Sequence, residues 1–93
     1  MGDKLLGQST APTLLVWAVQ DPQSAPLDRA QVIKVWRNEA GGHEEKIFDA
    51  VCSSGAQPDP ATYRCPANGS SVDISTCATD SGLGKPELKA AWV

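Results

Sequence analysis

Apolar residues fall into short runs separated by turn residues. Pro12–Gln20 (PTLLVWAVQ) is apolar on both alternating sets, Leu15, Trp17 and Val19 on one and Leu14, Val16 and Ala18 on the other. That pattern predicts a strand covered on both sides or a short buried helix, ended by the turn signal Asp21-Pro22. The two prolines in Asp21–Pro26 exclude a central strand there. Leu27–Cys52 then organises the chain. Its first run, Ala30–Trp36, carries Val32, Ile33, Val35 and Trp36; its second, Lys46–Cys52, carries Ile47, Phe48, Val51 and Cys52. Two β-rich runs around Asn38-Glu39-Ala40-Gly41-Gly42 predict a hairpin. Leu27, Ala30, Ile33 and Trp36 also recur at helical spacing, with Ser24 as a cap and Gly41 as a stop. The β-branched content favours the strand.

In the second hairpin strand, taken from Glu44 to Cys52, Lys46, Phe48 and Ala50 alternate with Ile47, Asp49 and Val51. Ser53–Ser71 follows as a loop holding Pro58, Pro60 and Pro66. A patternless segment of this length is unusual inside a compact domain. Val72–Ala78 (VDISTCA) alternates again, with Val72, Ile74 and Thr76 on one face, and reads as a further strand. Thr79–Pro86 is a Gly-rich turn, and Glu87–Val93 is a last strand or a single helical turn. Residues 1–11 read as a flexible leader ahead of one β-domain over residues 12–93. The expected fold class is all-β, a small sandwich or rolled antiparallel sheet of about five strands with one long Pro/Gly/Ser-rich loop.

Composition narrows the functional classes. A chain of 93 residues makes one domain with a small core. The net charge is -3, and Lys4, Arg29, Lys34, Arg37, Lys46, Arg64, Lys85 and Lys89 are scattered. Nucleic acid needs a basic stripe, and an anionic membrane a basic cluster, so neither partner is expected. The longest apolar run, Leu14–Val19, is far short of a membrane span. No secretion signal precedes it, because the start is not basic and the apolar run is too short.

Cys52, Cys65 and Cys77 are an odd set with wide gaps, unlike the close pairs of zinc sites. Buried free thiols are one reading. A disulfide stapling the long loop is the favoured one, which points to an oxidising compartment and leaves one cysteine without a partner in the chain. A bridge from Cys52 to Cys65 would close part of the loop and contribute about 3 kcal/mol by loop entropy.

The inventory for independent catalysis is poor. His43 is the only histidine, set in a polar turn with no oriented nucleophile. Glu44, Glu45 and Asp49 resemble an acidic cluster, but adjacent strand residues face opposite ways, so a solvated face is expected. Asp73 and Asp80 are isolated. Gly82-Leu83-Gly84-Lys85 lacks the spacing of a phosphate loop, and Asn68-Gly69-Ser70 matches a glycosylation acceptor of low specificity. Trp17, Trp36 and Trp92 are expected in packing rather than in a ligand site. No catalytic residue, metal site or cofactor is therefore assigned.

Thr13–Pro22 (TLLVWAVQDP), Leu27–Trp36 (LDRAQVIKVW), Glu45–Ala50 (EKIFDA), Ser54–Asp59 (SGAQPD), Gly69–Asp73 (GSSVD) and Gly84–Trp92 (GKPELKAAW) stand in a particular order and spacing. Over residues 12–93 they resemble the C-terminal portion of a bacterial family, domain-of-unknown-function family 3604. That family often has Gly where Val35 stands, which supports the strand. Full-length members resemble metal-dependent hydrolases, with metal-ligand motifs early in a longer chain. None of those motifs is present here, so no catalytic residue carries over.

The resemblance implies a Cys52–Cys65 disulfide with Cys77 unpaired, because some members carry cysteines at these positions and a fourth further on. It also implies a domain truncated at its C-terminal end and lacking an aromatic-rich strand, with a hydrolase barrel elsewhere in the parent and export to the periplasm for relatives. An open sheet edge would then favour a homo-oligomer. The expected function is non-catalytic, in packing or self-association. The alternatives are an accessory part of a metal-dependent hydrolase that shapes substrate access, and a free-standing small-ligand-binding module.

Overall fold

A computed structural model describes residues 2–7, 9–80 and 82–93. Met1 and Gln8 of the leader, and Ser81 of the Gly-rich turn, lie outside the described residues. The architecture is all-β, with strands β1 (Leu14–Val19), β2 (Arg29–Arg37), β3 (His43–Cys52), β4 (Val72–Asp73), β5 (Ala78–Thr79) and β6 (Glu87–Trp92). They pair as three antiparallel ribbons, β1–β6, β2–β3 and β4–β5.

The β2–β3 hairpin forms where the β-branched runs predict it. Its turn is closed by Asn38, whose N–H donates to Gly42 O at 2.8 Å and whose Oδ1 accepts the Gly42 N–H at 2.8 Å. Gly41, at φ 85°, supplies the left-handed step that such a turn needs. Val32 stands opposite Phe48, Ile33 opposite Ile47 and Lys34 opposite Lys46; a bulge at Ala30/Gln31 leaves Ala50 unopposed. The bulge lies beside the disulfide end of the hairpin, where extra local twist bends the ribbon.

β1 is a strand, not a short helix, and β6 is its partner, with Leu14 opposite Trp92 and Val19 opposite Glu87. The residue pattern had predicted cover on both faces of β1. Only one face is covered. Leu14, Val16 and Ala18 share a face with Leu88 and Trp92, and Leu88 is buried. Trp92 packs on Phe48 of the hairpin, ring centroids 5.2 Å apart. Among the described residues nothing covers Leu15, Trp17 and Val19, because the second layer is itself only a two-stranded ribbon.

Val72–Ala78 is not one strand. Residues 72–79 form a tight hairpin whose arms are β4 and β5. The polar residues explain the difference. Asp73 Oδ1 accepts the Ser75 N–H at 2.9 Å and the Ser75 hydroxyl at 2.7 Å, and the Cys77 N–H returns to Asp73 O at 2.7 Å. Short polar side chains that capture nearby backbone groups compete with an extended ladder. Cys77 takes the left-handed φ of 58° that closes the turn.

One backbone tie joins the β2–β3 and β1–β6 ribbons and another extends the hairpin ladder. Leu27 and Lys85 exchange backbone hydrogen bonds of 2.9 Å, and the Ser53 N–H donates to Asp28 O at 2.9 Å. Gly84 makes the first tie possible. At φ 100°, a Cβ there would lie 2.8 Å from Leu27 O and 2.8 Å from Pro26 Cβ. The core is small. Its buried apolar side chains are Ala30, Cys52, Cys65 and Leu88, and Asp49 and Ser53 are buried with them.

Candidate functional site

The long loop, residues 53–71, is held to β3 by covalent and polar contacts together. Cys52 and Cys65 form a disulfide, the pairing that the family resemblance implied. Immediately beside it, the Asp49 N–H donates to Tyr63 O at 2.8 Å. The Asp49 carboxylate accepts the Cys65 N–H at 2.6 Å and Gln31 Nε2 at 2.7 Å. Arg29 Nη1 stands 3.4 Å and Arg64 Nη1 3.9 Å from the same carboxylate, whose side chain has no exposed surface. The loop also lays the Tyr63 ring against Phe48, 5.0 Å between centroids. Lys46 Nζ covers both rings, 4.3 Å from that of Tyr63 and 5.5 Å from that of Phe48.

Burial pushes the Asp49 carboxyl up, but the hydrogen bonds from Cys65 and Gln31 and the charges of Arg29 and Arg64 outweigh it. The net result is a carboxyl held below the ordinary aspartate value. Asp49 is thus a fully partnered anion, corrected from the solvated acidic face expected for it. Each of its oxygens is engaged by a donor of the chain itself, which suits a clasp between loop and strand. The sequence signal was faint: an Asp between Phe48 and Ala50 in the apolar half of the strand, with its cations distant in the chain.

The other candidates are dispersed. His43 is exposed at the start of β3, opposite Arg37; Glu44 and Glu45 are exposed on opposite faces of that strand. Asp73 and Asp80 are exposed and occupied by local turn hydrogen bonds. Among the described residues no group of three or more His, Cys, Asp and Glu side chains is placed to hold a metal ion. Cys77 is a free, exposed thiol. Asn68 takes part in a turn, its Oδ1 accepting the Ser70 N–H at 2.9 Å, and its Nδ2 reaches Ser53 Oγ at 3.4 Å. The tryptophans do not converge. Trp92 is half-buried on Phe48, Trp36 lies near the hairpin turn with Lys34 Nζ 5.6 Å from its ring, and Trp17 stands outside the β1–β6 ribbon.

What the structure does assemble is an apolar surface. Leu15 is 86% exposed, Trp17 71% and Val19 66%, and all three lie on one face of β1. Ala91 stands opposite Leu15 on that face, and Lys89 and Glu87 stand opposite Trp17 and Val19. Lys89 Nζ and Glu87 Oε1 are paired at 3.2 Å, so the charged rim is neutral within itself. Such a cluster differs from the single apolar residues scattered over any protein surface.

One family model matches the chain, over residues 1–93. The chain belongs to the family described as protein of unknown function (DUF3604). The DUF3604 match reaches back over residues 1–11, ahead of the motifs that begin at Thr13. No curated protein and no solved structure matches the chain. The DUF3604 description carries no activity, so any role has to be argued from the surface just described.

Proposed function

We propose that this DUF3604 chain acts as a non-catalytic packing and association module, and that the outer face of the β1–β6 ribbon is its working surface. The observation that carries this reading is the exposure of Leu15, Trp17 and Val19 side by side on one face. Transfer of these side chains out of water yields about 25 cal/mol for each Å² of apolar surface covered. Trp17 supplies the largest single contribution and a rigid ring, the kind of side chain that anchors interfaces. The adjoining Lys89–Glu87 pair supplies a polar rim without a net charge that would repel a partner.

Replacing Leu15 and Trp17 together by serine tests this reading. Both side chains are largely exposed, so thermal stability should change by no more than about 0.5 kcal/mol per site. The wild-type domain is expected to be retained on a phenyl matrix, and L15S/W17S to lose most of that retention with an unchanged circular dichroism spectrum. Equal retention of the two folded proteins would contradict the assignment of this face.

A further inference from the structure

β1 has an open edge as well as an open face, and the orientation of its backbone groups restricts what can pair there. The Gln20 N–H donates to Pro86 O at 2.8 Å, one step beyond the Val19–Glu87 pair. In an antiparallel ladder, residues alternate between exchanging hydrogen bonds with the facing residue and turning those groups away from it. Gln20 therefore fixes the phase of the whole ribbon. Leu14, Val16 and Ala18 direct their N–H and C=O groups toward β6. Leu15, Trp17 and Val19 direct theirs toward the outer edge, where no other strand pairs among the described residues.

This edge has none of the usual guards. Leu14–Val19 contains no charged residue, no proline and no bulge, whereas β6 carries Glu87 and Lys89. We infer that the occupant of the β1 edge is β1 of a second copy of this chain, paired antiparallel about a two-fold axis at Trp17. The inference rests on the association role proposed above and names a partner for the β1 edge, leaving the outer face of Leu15, Trp17 and Val19 open in both copies.

The register follows from the phase. Outward-directed groups exist only at Leu15, Trp17 and Val19, so hydrogen-bonded pairs must join these residues to each other. Centring on Trp17 joins Leu15 to Val19 of the second copy, Trp17 to its own counterpart, and Val19 to Leu15 of the second copy. Two bonds per pair give about six inter-copy hydrogen bonds. A shift of the axis to Val16 or Ala18 leaves about four, and a shift by half a step sets inward-directed groups against outward ones. The Trp17-centred register also brings Leu15, Trp17 and Val19 of both copies onto one face of a four-stranded sheet ordered β6–β1–β1–β6. Because β1 is uncharged, self-pairing sets no charge opposite a like charge, a condition that a heterologous acidic or basic strand would not need.

Sedimentation velocity over a range of concentrations, together with NMR of a dimer mixed from labelled and unlabelled copies, tests this. The expected result is a dimer showing an inter-copy Hα–Hα contact between Val16 and Ala18, the close non-hydrogen-bonded pair of this register. Trp17→Pro removes an outward N–H while leaving the bonds to β6 in place. It should weaken dimerisation by about tenfold or more. Trp17→Lys places like charges at the axis through an exposed side chain and should weaken it similarly if the proline disturbs folding. A wild type that stays monomeric at every concentration overturns the inference, as does a dimer lacking the Val16–Ala18 contact. Either result with phenyl retention still lost in L15S/W17S would leave the broader association role standing. Unchanged retention in that variant would remove the role itself.

Discussion

Asp49→Ala is expected to lower the stability of the folded domain by about 1–3 kcal/mol, the cost of leaving a buried hydrogen-bond donor without its acceptor. The side chain is wholly covered, and its removal strands the Cys65 N–H and frees Gln31, while Arg29 keeps its 2.7 Å pair with Asp28. For a domain of this size that loss is a large fraction of the whole stability, about 5 kcal/mol at the low end of the usual range. Urea denaturation followed by tryptophan fluorescence measures it. A midpoint close to that of the wild type would mean that the loop is held without the carboxylate.

Acid titration reads the same clasp. The folded state holds the Asp49 proton more weakly than the unfolded chain does, since the folded carboxyl lies below its ordinary value. As pH falls, the unfolded state therefore takes up that proton first. The stability contributed by the carboxylate is complete above about pH 4, the ordinary aspartate value, and is lost as pH falls toward the lower folded value. Asp49→Asn should be less stable at neutral pH and should lack this part of the acid limb.

Loss of the Cys52–Cys65 disulfide is the second large effect expected. The two cysteines are separated by 13 positions, and the chain-entropy model assigns a loop of about this size about 3 kcal/mol. The variant C52S/C65S, or the reduced wild type, should melt correspondingly earlier. The effect should not add to that of Asp49→Ala. The Cys65 N–H donates to the Asp49 carboxylate, so both changes free the same loop. The triple variant should cost less than the sum of the two, a difference that a thermodynamic cycle measures. Full additivity would mean that disulfide and carboxylate act on separate parts of the fold.

Sequence reading reached the parts of this fold that depend on local pattern. The β2–β3 hairpin was legible because its β-branched runs flank a Gly-containing turn, whereas β1, apolar on both alternating sets, and the short β6 each left a helical alternative open. The β4–β5 hairpin was not legible, because Asp73 and Ser75 break an alternating pattern by capturing backbone groups locally. The Cys52–Cys65 pairing came from the family resemblance, since the cysteine spacings alone left the partners open. Asp49 was misjudged for a different reason. Its burial is produced by Tyr63 and Cys65 folding back over β3, and nothing within the strand announces that return. The exposure of Leu15, Trp17 and Val19 was missed by the same logic. An apolar strand pattern shows which faces favour cover, while the number of layers available to supply that cover is a tertiary property.

Amide hydrogen exchange resolved to single residues of β1 tests most directly whether this strand offers its outer edge and face to a partner. The expected result is that the Val16 and Ala18 amides, bonded to β6, are protected at every concentration. The Leu15, Trp17 and Val19 amides should exchange rapidly in dilute solution and become protected as concentration rises. Rapid exchange of those three at every concentration, or protection already complete in dilute monomer, would contradict it.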